Sequence, residues 1–299
     1  DGNTIYGAVT DGTDYWVVKS VDGGYTWTNT TLNQAWYTAA LTTNPNLGPI
    51  VDIEVAPSGN GTVYVAFGGD ATNYNSAKIY KIAAKGAGAV SALRDVVNEG
   101  DVFAKAIYDI DVYYDAAAHI DYVMVAADID ALVIRDAGTL EEWIPLGLID
   151  IDGADNDLSV TADNYVGDGV YEVAFAPDFA TSSIIWALFD TGNDTTSIPA
   201  RNVYGTDDVV ALAATTGNGI WNANFDPVVF DGVDDIGSLI TVTSAGATAL
   251  DMAFPTNYSS ADPYLYVALN NTANTGNLLL CVIDGAGGAS ETEALLPIP

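Results

Sequence analysis

The stretch IVDIEVAPSGNGTVYVAFGG, residues 50 to 69, decides the fold of this chain. It begins with apolar residues that alternate with polar ones, passes through a turn rich in Pro, Ser, Asn and Gly, and ends in a more continuous apolar run. Alternation with a period of two is typical of a half-buried strand, and two such runs around turn residues are typical of a β-hairpin. The stretch therefore predicts two antiparallel strands.

The same two-strand phrase occurs at three further places in the sequence. These copies are IDVYYDAAAHIDYVMVAAD (110–128), VYEVAFAPDFATSSIIWALFD (170–190) and ALDMAFPTNYSSADPYLYVALN (249–270). Most copies are followed by a third apolar segment (77–84, 131–136 and 277–284), and a fourth strand is expected at AVSALRDVV, TLEEWIPLG and ETEALLPI. Antiparallel four-stranded units that recur every 60 to 80 residues are typical of propeller blades with insertions. We predict an all-β chain, a β-propeller of about five four-stranded antiparallel blades with inter-blade insertions.

We expect a single domain over residues 1–299. Its first blade, at residues 1–31, is expected to be incomplete because the segment TIYGAVTD matches a second strand and no first strand precedes it. An insertion is expected at about residues 191–246. No segment shows a sustained period of 3.6 residues, so the helix content should be low.

A short motif, SVDGGYTW at residues 20–27, falls between the third and fourth strands of that first unit. It resembles the Asp-box (BNR) motif S-x-D-x-G-x-T-W at Ser20, Asp22, Gly24, Thr26 and Trp27. The resemblance is to Asp-box β-propellers of the kind found in extracellular and surface-layer-type proteins, in which the box lies on the outer rim of a blade. It implies structural roles: the aspartate accepts turn N–H groups, the glycine adopts a positive φ, and the tryptophan ring is buried between sheets.

The charge of the chain restricts its partners. Acidic residues (40) outnumber basic ones (8), which gives a net charge of −32 and would repel nucleic acids. No apolar run approaches the roughly 20 residues that span a bilayer, so membrane insertion is not expected. The scarcity of Lys and Cys is consistent with an extracellular or cell-surface location. Five sequons are candidate glycosylation sites, at Asn29, Asn60, Asn193, Asn257 and Asn270.

The segment LIDIDGADNDLS, residues 148–159, is the one candidate metal site in the sequence. Its carboxylates at Asp150, Asp152, Asp155 and Asp157 offer the hard oxygen ligands that Ca²⁺ prefers. The spacing departs from the D-x-D-x-D-G order of an EF-hand loop, so a solvated acidic loop is the favoured interpretation. We expect no cofactor and keep calcium as the weaker alternative.

Catalytic residues are not evident in the sequence. Asp-box propellers include sialidases, so the resemblance implies a triad of arginines that binds a carboxylate. The arginines of this chain, Arg94, Arg135 and Arg201, lack the sequence context that the sialidases show. The only histidine, His119, lies in the turn AAAHID and is expected at the surface. An acidic residue recurs once per phrase, at Asp52, Asp111, Glu172 and Asp251. These residues either line a central channel or bind backbone at the strand entrance.

On these grounds the sequence predicts a protein that is not an enzyme. The predicted function is a non-catalytic extracellular structural protein, a self-assembling subunit of a surface layer or filament whose main partner is itself. The tail ETEALLPIP (291–299) would cover the open edge of the first blade, either in its own chain or in a neighbouring subunit, where it would link subunits into a polymer. Loop aromatics (Trp36, Tyr37, Trp221 and Tyr258) would be exposed. The alternative is a carbohydrate-binding or relic sialidase-like glycosidase propeller, with glycans as partners.

Overall fold

The structure of the chain is a computed structural model. It describes residues 3–58, 61–69, 76–97, 103–136, 143–145, 170–182, 184–190, 197–203, 228–229, 248–259, 264–270, 277–282 and 292–297. The chain divides into two compact units. The N-terminal unit contains Asp1–Asp128 and Val133–Trp143, and the C-terminal unit contains Ile129–Leu132 and Ile144–Pro299.

The described strands form five antiparallel sheets. The first contains β1 (Ile5–Thr10), β2 (Tyr15–Ser20) and β3 (Thr28–Asn29), in that order. The second contains β4 (Ile50–Val55), β5 (Val63–Phe67), β6 (Lys78–Ile82) and β7 (Val90–Ala92). The third contains β8 (Ile107–Asp115), β9 (Ile120–Ala127), β10 (Ala131–Asp136) and β11 (Ile144–Pro145).

The remaining two sheets lie in the C-terminal unit. They contain β12 (Val170–Phe175), β13 (Ile184–Asp190), β14 (Ser197–Val203) and β15 (Val228–Val229), and then β16 (Thr248–Ala253), β17 (Tyr264–Asn270), β18 (Asn277–Val282) and β19 (Thr292–Pro297). Consecutive strands are hydrogen-bonded neighbours in every sheet, which is the meander pattern of a blade. The prediction of an all-β propeller built from four-stranded antiparallel sheets is confirmed.

Helices are few and short among the described residues. They are α1 (Gln34–Ala40), α2 (Ala83–Gly86) and α3 (Phe179–Ser182). In α2, Ala84 and Lys85 have φ angles of 51° and 57°, so this segment is a left-handed turn rather than a regular helix. No described helix is long and apolar enough to cross a membrane.

The helix α1 builds part of the core of the N-terminal unit. The side chain of Asn33 accepts a hydrogen bond from the Trp36 N–H and caps the helix. Tyr37 is buried, stacks on Phe67 of β5 with 5.9 Å between ring centroids, and donates its hydroxyl to the Leu47 carbonyl at 2.9 Å. The expectation that Tyr37 is an exposed loop aromatic is therefore wrong.

Two other predicted loop aromatics also pack inside. Trp36 lies against the Tyr80 ring at 4.8 Å between centroids, and Tyr258 is buried and accepts a hydrogen bond from the Trp186 indole. Trp221 lies outside the described residues. Three of the four aromatic residues that were expected to be exposed therefore pack against other side chains.

The C-terminal tail pairs within its own sheet. Strand β19 runs antiparallel to β18, with Leu278 opposite Leu295 and Cys281 opposite Thr292. The fourth strand predicted at ETEALLPI is confirmed, whereas the expectation that this tail covers the edge of the first sheet is wrong. The segment that suggested strand donation is the fourth strand of the last sheet instead.

Candidate functional site

Four hairpins share a β-bulge near the start of their first strand. The register shifts between Ile50 and Asp52 in β4, because these two residues oppose the adjacent Phe67 and Ala66 of β5. Corresponding shifts separate Ile107 from Asp109, Val170 from Glu172, and Ala249 from Asp251. A bulge adds one residue to one strand and re-aims the side chains next to it.

The residue that ends each bulge is acidic. The equivalent positions are Asp52, Asp109, Glu172 and Asp251. The predicted match between Asp111 and Asp52 is wrong by two residues, because Asp109 occupies the equivalent position. It failed because the apolar alternation looks the same after a shift of two, whereas the bulge marks the true starting point of each strand.

A second acidic residue follows two positions later only in the N-terminal unit. It is Glu54 in β4 and Asp111 in β8, whereas the C-terminal unit has Ala174 and Ala253 at the same place. Residues two apart along a strand point to the same face of the sheet. Each of these two N-terminal strands therefore presents a pair of carboxyl groups on one face.

The carboxyl group of Asp52 joins the two strands. It accepts hydrogen bonds from the N–H groups of Ile53 at 2.7 Å and Ile110 at 3.3 Å, and it is hydrogen-bonded to the side chain of Asp109. Burial raises the pKa of Asp52 above its usual range, and the hydrogen bonds oppose this only in part. Because a hydrogen bond between two carboxyl groups needs a proton, Asp52 and Asp109 act as a pair that holds one.

Glu54 also has a raised pKa in this cluster. Burial, and then the negative charges of Asp111 and Asp52, raise its pKa to about 7. It is nevertheless half-buried rather than sealed, as are Asp111 and Asp52. Near neutral pH, Glu54 is therefore protonated in about half of the molecules, beside Asp111 and in reach of solvent.

A transverse polar row continues from Glu54 across its sheet. Glu54 of β4 is paired with Tyr64 of β5, which is paired with Lys81 of β6. Directly paired residues share a face with Cβ atoms about 5 Å apart. The row therefore places a carboxyl, a phenol and an ammonium group side by side.

The buried hydroxyl of Tyr64 contacts two aspartates of the third sheet. It lies 2.7 Å from Asp136 Oδ2 and 2.9 Å from Asp121 Oδ2, and Lys81 Nζ donates to both oxygens of Asp136 at 2.6 Å. A hydroxyl donates only one proton, so one of the two carboxyl groups donates to Tyr64 in return. Burial raises the pKa of Asp121, and the hydrogen bond from Tyr64 opposes this shift.

The Asp-box residues form a closed turn. Ser20 Oγ donates to Asp22 Oδ1 at 2.7 Å, and the N–H and hydroxyl of Thr26 donate to the two oxygens of Asp22 at 2.9 and 2.6 Å. The Thr26 and Ser20 hydrogen bonds lower the pKa of Asp22 to about 2. Gly24 has a φ of 97°, a conformation that a side chain resists.

The tryptophan of the box is not buried between sheets. Trp27 is 46% exposed, and its ring lies over Gly7 of β1 and donates its indole N–H to the Gly24 carbonyl at 3.0 Å. The expectation of an inter-sheet ring is therefore wrong. The ring contacts its own sheet, where a Cβ added at Gly7 would lie 3.6 Å from the ring, an ordinary van der Waals distance.

The other predicted site residues are spread over the chain. Asn29 lies in β3 and Asn257 in a turn, both exposed, and Asn270 ends β17. Asn60, Asn193 and the acidic segment with Asp150, Asp152, Asp155 and Asp157 lie outside the described residues. Within the part of the chain that the structure describes, no three His, Cys, Asp or Glu side chains are grouped to hold a metal ion.

Sequence reasoning missed Glu54 and Asp109 although a signal was present. The segments IVDIEV and IYDIDV both carry two acids with the same spacing, and aligning them without gaps would have found the set. It also missed Tyr64, Asp121 and Asp136, which have no local signal because their contacts join residues 57 and 72 positions apart.

Comparison with known proteins gives structural neighbours only. No protein-family model matches the sequence, and no curated protein matches it significantly. The alpha-L-arabinanase of Cellvibrio cellulosa is similar with a TM-score of 0.49 and 13% identity, over 98% of this chain and 92% of that one. A thermostable family-43 glycoside hydrolase is similar with a TM-score of 0.44 and 11% identity, over 83% and 73% of the two chains. A GH43_1 enzyme from Xanthomonas citri is similar with a TM-score of 0.39 and 10% identity, over 98% and 87%.

These neighbours correct one prediction. We had predicted that the protein is not an enzyme, and the three solved structures above are all enzymes. The prediction of a non-catalytic chain is withdrawn on that finding, and the predicted surface-layer or filament role has no support. With TM-scores of 0.49 or lower, no substrate and no catalytic residue is transferred from them.

Proposed function

We propose that the protein is a glycoside hydrolase in which Glu54 is the general acid and Asp111 is the second carboxylate. The observation that carries this proposal is the state of Glu54, whose pKa is raised to about 7 by burial and by the charge of Asp111. Glycoside hydrolysis needs two carboxyl groups, one protonated to assist the leaving group and one ionised to activate water or attack the sugar.

The electrostatics of the cluster assign these two roles. The negative charge of Asp111 helps to raise the pKa of Glu54, and we assign Asp111 as the ionised member of the pair. Asp52 and Asp109 are tied to each other and to backbone N–H groups, so they hold the two strands together and keep charge close to Glu54. Pairs of carboxyl groups whose environments push their pKa values apart are the usual signature of acid and base roles.

The charge of the chain favours a neutral substrate. With a net charge of −32, an acidic polysaccharide would be repelled, whereas a neutral oligosaccharide would not. The proposed substrate class is therefore a neutral glycan. Kinship with Asp-box propellers, an extracellular location, glycosylation at the sequons and calcium at the acidic segment remain predictions from the sequence.

The test is hydrolysis of neutral oligosaccharides by the wild-type chain and two isosteric variants. The substrates are arabino-, xylo-, gluco- and galacto-oligosaccharides, with release of reducing ends as the readout. Glu54→Gln and Asp111→Asn should each lower kcat by about 100-fold or more, the usual contribution of a positioned acid or base. Asp14→Asn, a carboxyl-to-amide change at a hydrogen-bonded surface position of the first sheet, is the matched control.

A leaving-group series separates the two roles. Aryl glycosides with acidic phenols need no protonation, so Glu54→Gln should lose far less activity on nitrophenyl glycosides than on oligosaccharides. Asp111→Asn should lose activity on both. Full activity of Glu54→Gln on oligosaccharides, or a wild type inactive on every substrate, would refute the proposal.

A further inference from the structure

The N-terminal unit contains a second polar site, which is lined by residues other than the four acids of the Glu54 cluster. It is a cavity of about 510 Å³ at the turn ends of the β4–β5 and β8–β9 hairpins, opposite the bulges. This size lies within the range of small-molecule sites. Its lining residues are Ser58, Thr62, Lys81, Tyr114, His119, Asp121 and Asp136.

Every side chain of this lining carries a hydrogen-bonding group. Small-molecule pockets are usually lined by apolar side chains with a few polar ones, so a wholly polar lining selects a very hydrophilic ligand. Hydroxyl groups come from Ser58, Thr62 and Tyr114, and the Tyr114 hydroxyl is hydrogen-bonded to His119 Nδ1 at 2.9 Å. The two rings add flat surfaces, with their centroids 6.4 Å apart.

The charges of the lining are already largely matched. Lys81 is held by both oxygens of Asp136, so it is not available as a strong partner for an anion. Asp121 uses Oδ2 to contact Tyr64, whereas its Oδ1 is buried and has no hydrogen-bond partner among the described residues. A buried polar atom without a partner is costly, so a group that hydrogen-bonds to it is expected.

The ligand class follows from this balance. Two carboxyl groups would repel an anion, and Lys81 already occupies both oxygens of Asp136, so a cationic amine could not pair with that carboxyl group. A neutral polyol has hydroxyl groups that both donate and accept, which suits carboxyl, hydroxyl and ammonium groups together. We propose that this cavity binds a neutral saccharide, as a binding site separate from the carboxyl cluster at Glu54.

This proposal goes beyond the proposed hydrolase activity and does not rest on it. The lining includes none of the four acids of the catalytic cluster. The cavity could hold a sugar in a chain that hydrolyses nothing, and hydrolysis could proceed with the cavity empty. The two proposals therefore fail separately.

His119 makes the test specific, because it is the only histidine in the chain. Its imidazole NMR signals report on this cavity without ambiguity. The experiment uses the full chain as Glu54→Gln, so that no probe is consumed, at fixed pH. The probes are arabinotriose, xylotriose, cellotriose and maltotriose, with spermidine and inorganic phosphate as charged comparisons.

We expect at least one trisaccharide to move the His119 signals in a saturable way, and the two charged probes to leave them in place. Thr62→Ala, at the half-buried rim, and Asp121→Asn should each weaken that binding by about tenfold, while Thr43→Ala, after α1, should not. If Asp121→Asn does not fold, Thr62→Ala alone decides the point.

Three results would overturn the saccharide site. They are His119 signals that no trisaccharide moves, signals that phosphate or spermidine moves instead, and equal weakening by Thr62→Ala and Thr43→Ala. If the wild-type chain hydrolysed no oligosaccharide, the His119 binding result would still stand. The two assays therefore distinguish the saccharide site from the hydrolase activity.

Discussion

Replacing Glu54 by Gln should stabilise the protein at neutral pH and leave its stability unchanged in acid. Burial and the charges of Asp111 and Asp52 raise the pKa of Glu54 from 4.5 to about 7, so the folded chain binds this proton more tightly than the unfolded chain does. A raised pKa contributes stability that is fully present below pH 4.5 and is lost as the pH rises through about 7. Glutamine resembles the protonated form at every pH.

The magnitude follows from the distance between the two pKa values. A gap from 4.5 to about 7 corresponds to about 3 kcal/mol of folding free energy, of which solvent access to the half-buried side chain leaves about 2 kcal/mol. The variant should therefore equal the wild type at about pH 4 and exceed it by about 2 kcal/mol at about pH 8.

Urea unfolding across this pH range measures the difference. Asp111→Asn is the paired control, because removing that charge should lower the pKa of Glu54 and shift the fall in stability to lower pH. A constant difference between Glu54→Gln and wild type at all pH values would refute the electrostatic account of the cluster. A fall in the stability of Glu54→Gln, relative to the wild type, between pH 4 and pH 8 would also refute it.

Three further predictions concern other parts of the N-terminal unit. Tyr64→Phe should lower the free energy of unfolding in urea by about 2 to 3 kcal/mol, because Asp121 and Asp136 lose a buried hydrogen-bond partner. The control Tyr80→Phe, on the neighbouring strand, should lower it by less than about 1 kcal/mol. Equal losses would contradict the hydrogen-bond network around Tyr64. Trp27→Ala should lower the free energy of unfolding by about 1 to 2 kcal/mol rather than the roughly 3 to 5 kcal/mol expected for a buried ring, because nearly half of the side chain is exposed. A larger fall in melting temperature than that of the core variant Leu132→Ala would contradict this prediction. Asp22→Asn should lower the melting temperature at pH 7, and this effect should shrink as the pH falls towards about 2. The lowered pKa of Asp22 contributes stability that is present above pH 3.8 and is lost as the pH falls through about 2. An undiminished effect at pH 2 would count against the turn hydrogen bonds.

The strands were predictable because alternation and turn residues act locally. All four hairpin phrases and the tail strand lie where the sequence placed them. The helix α1 was missed because its seven residues make only two turns, too few for a helical period to emerge, and its aromatic side chains were consequently placed in a loop.

The site was less predictable than the fold, for a physical reason. The apolar alternation of a strand looks the same after a shift of two residues, so Asp111 was aligned where Asp109 belongs. The contacts of Tyr64 arise only when two distant sheets meet, and its strand VYVAF looks like an ordinary buried run. Forty acidic residues also concealed the few whose surroundings change their chemistry.

The shared bulge gives the molecule an internal comparison set. Four hairpins hold the same backbone device and the same first acid, but two carry a second acid and two carry Ala174 and Ala253 instead. The copies have thus diverged at this position, so the alanine copies serve as natural negative controls. Introducing Ala174→Glu would ask whether a carboxyl group placed by this backbone acquires its unusual acidity from the strand alone or only from a charged neighbour.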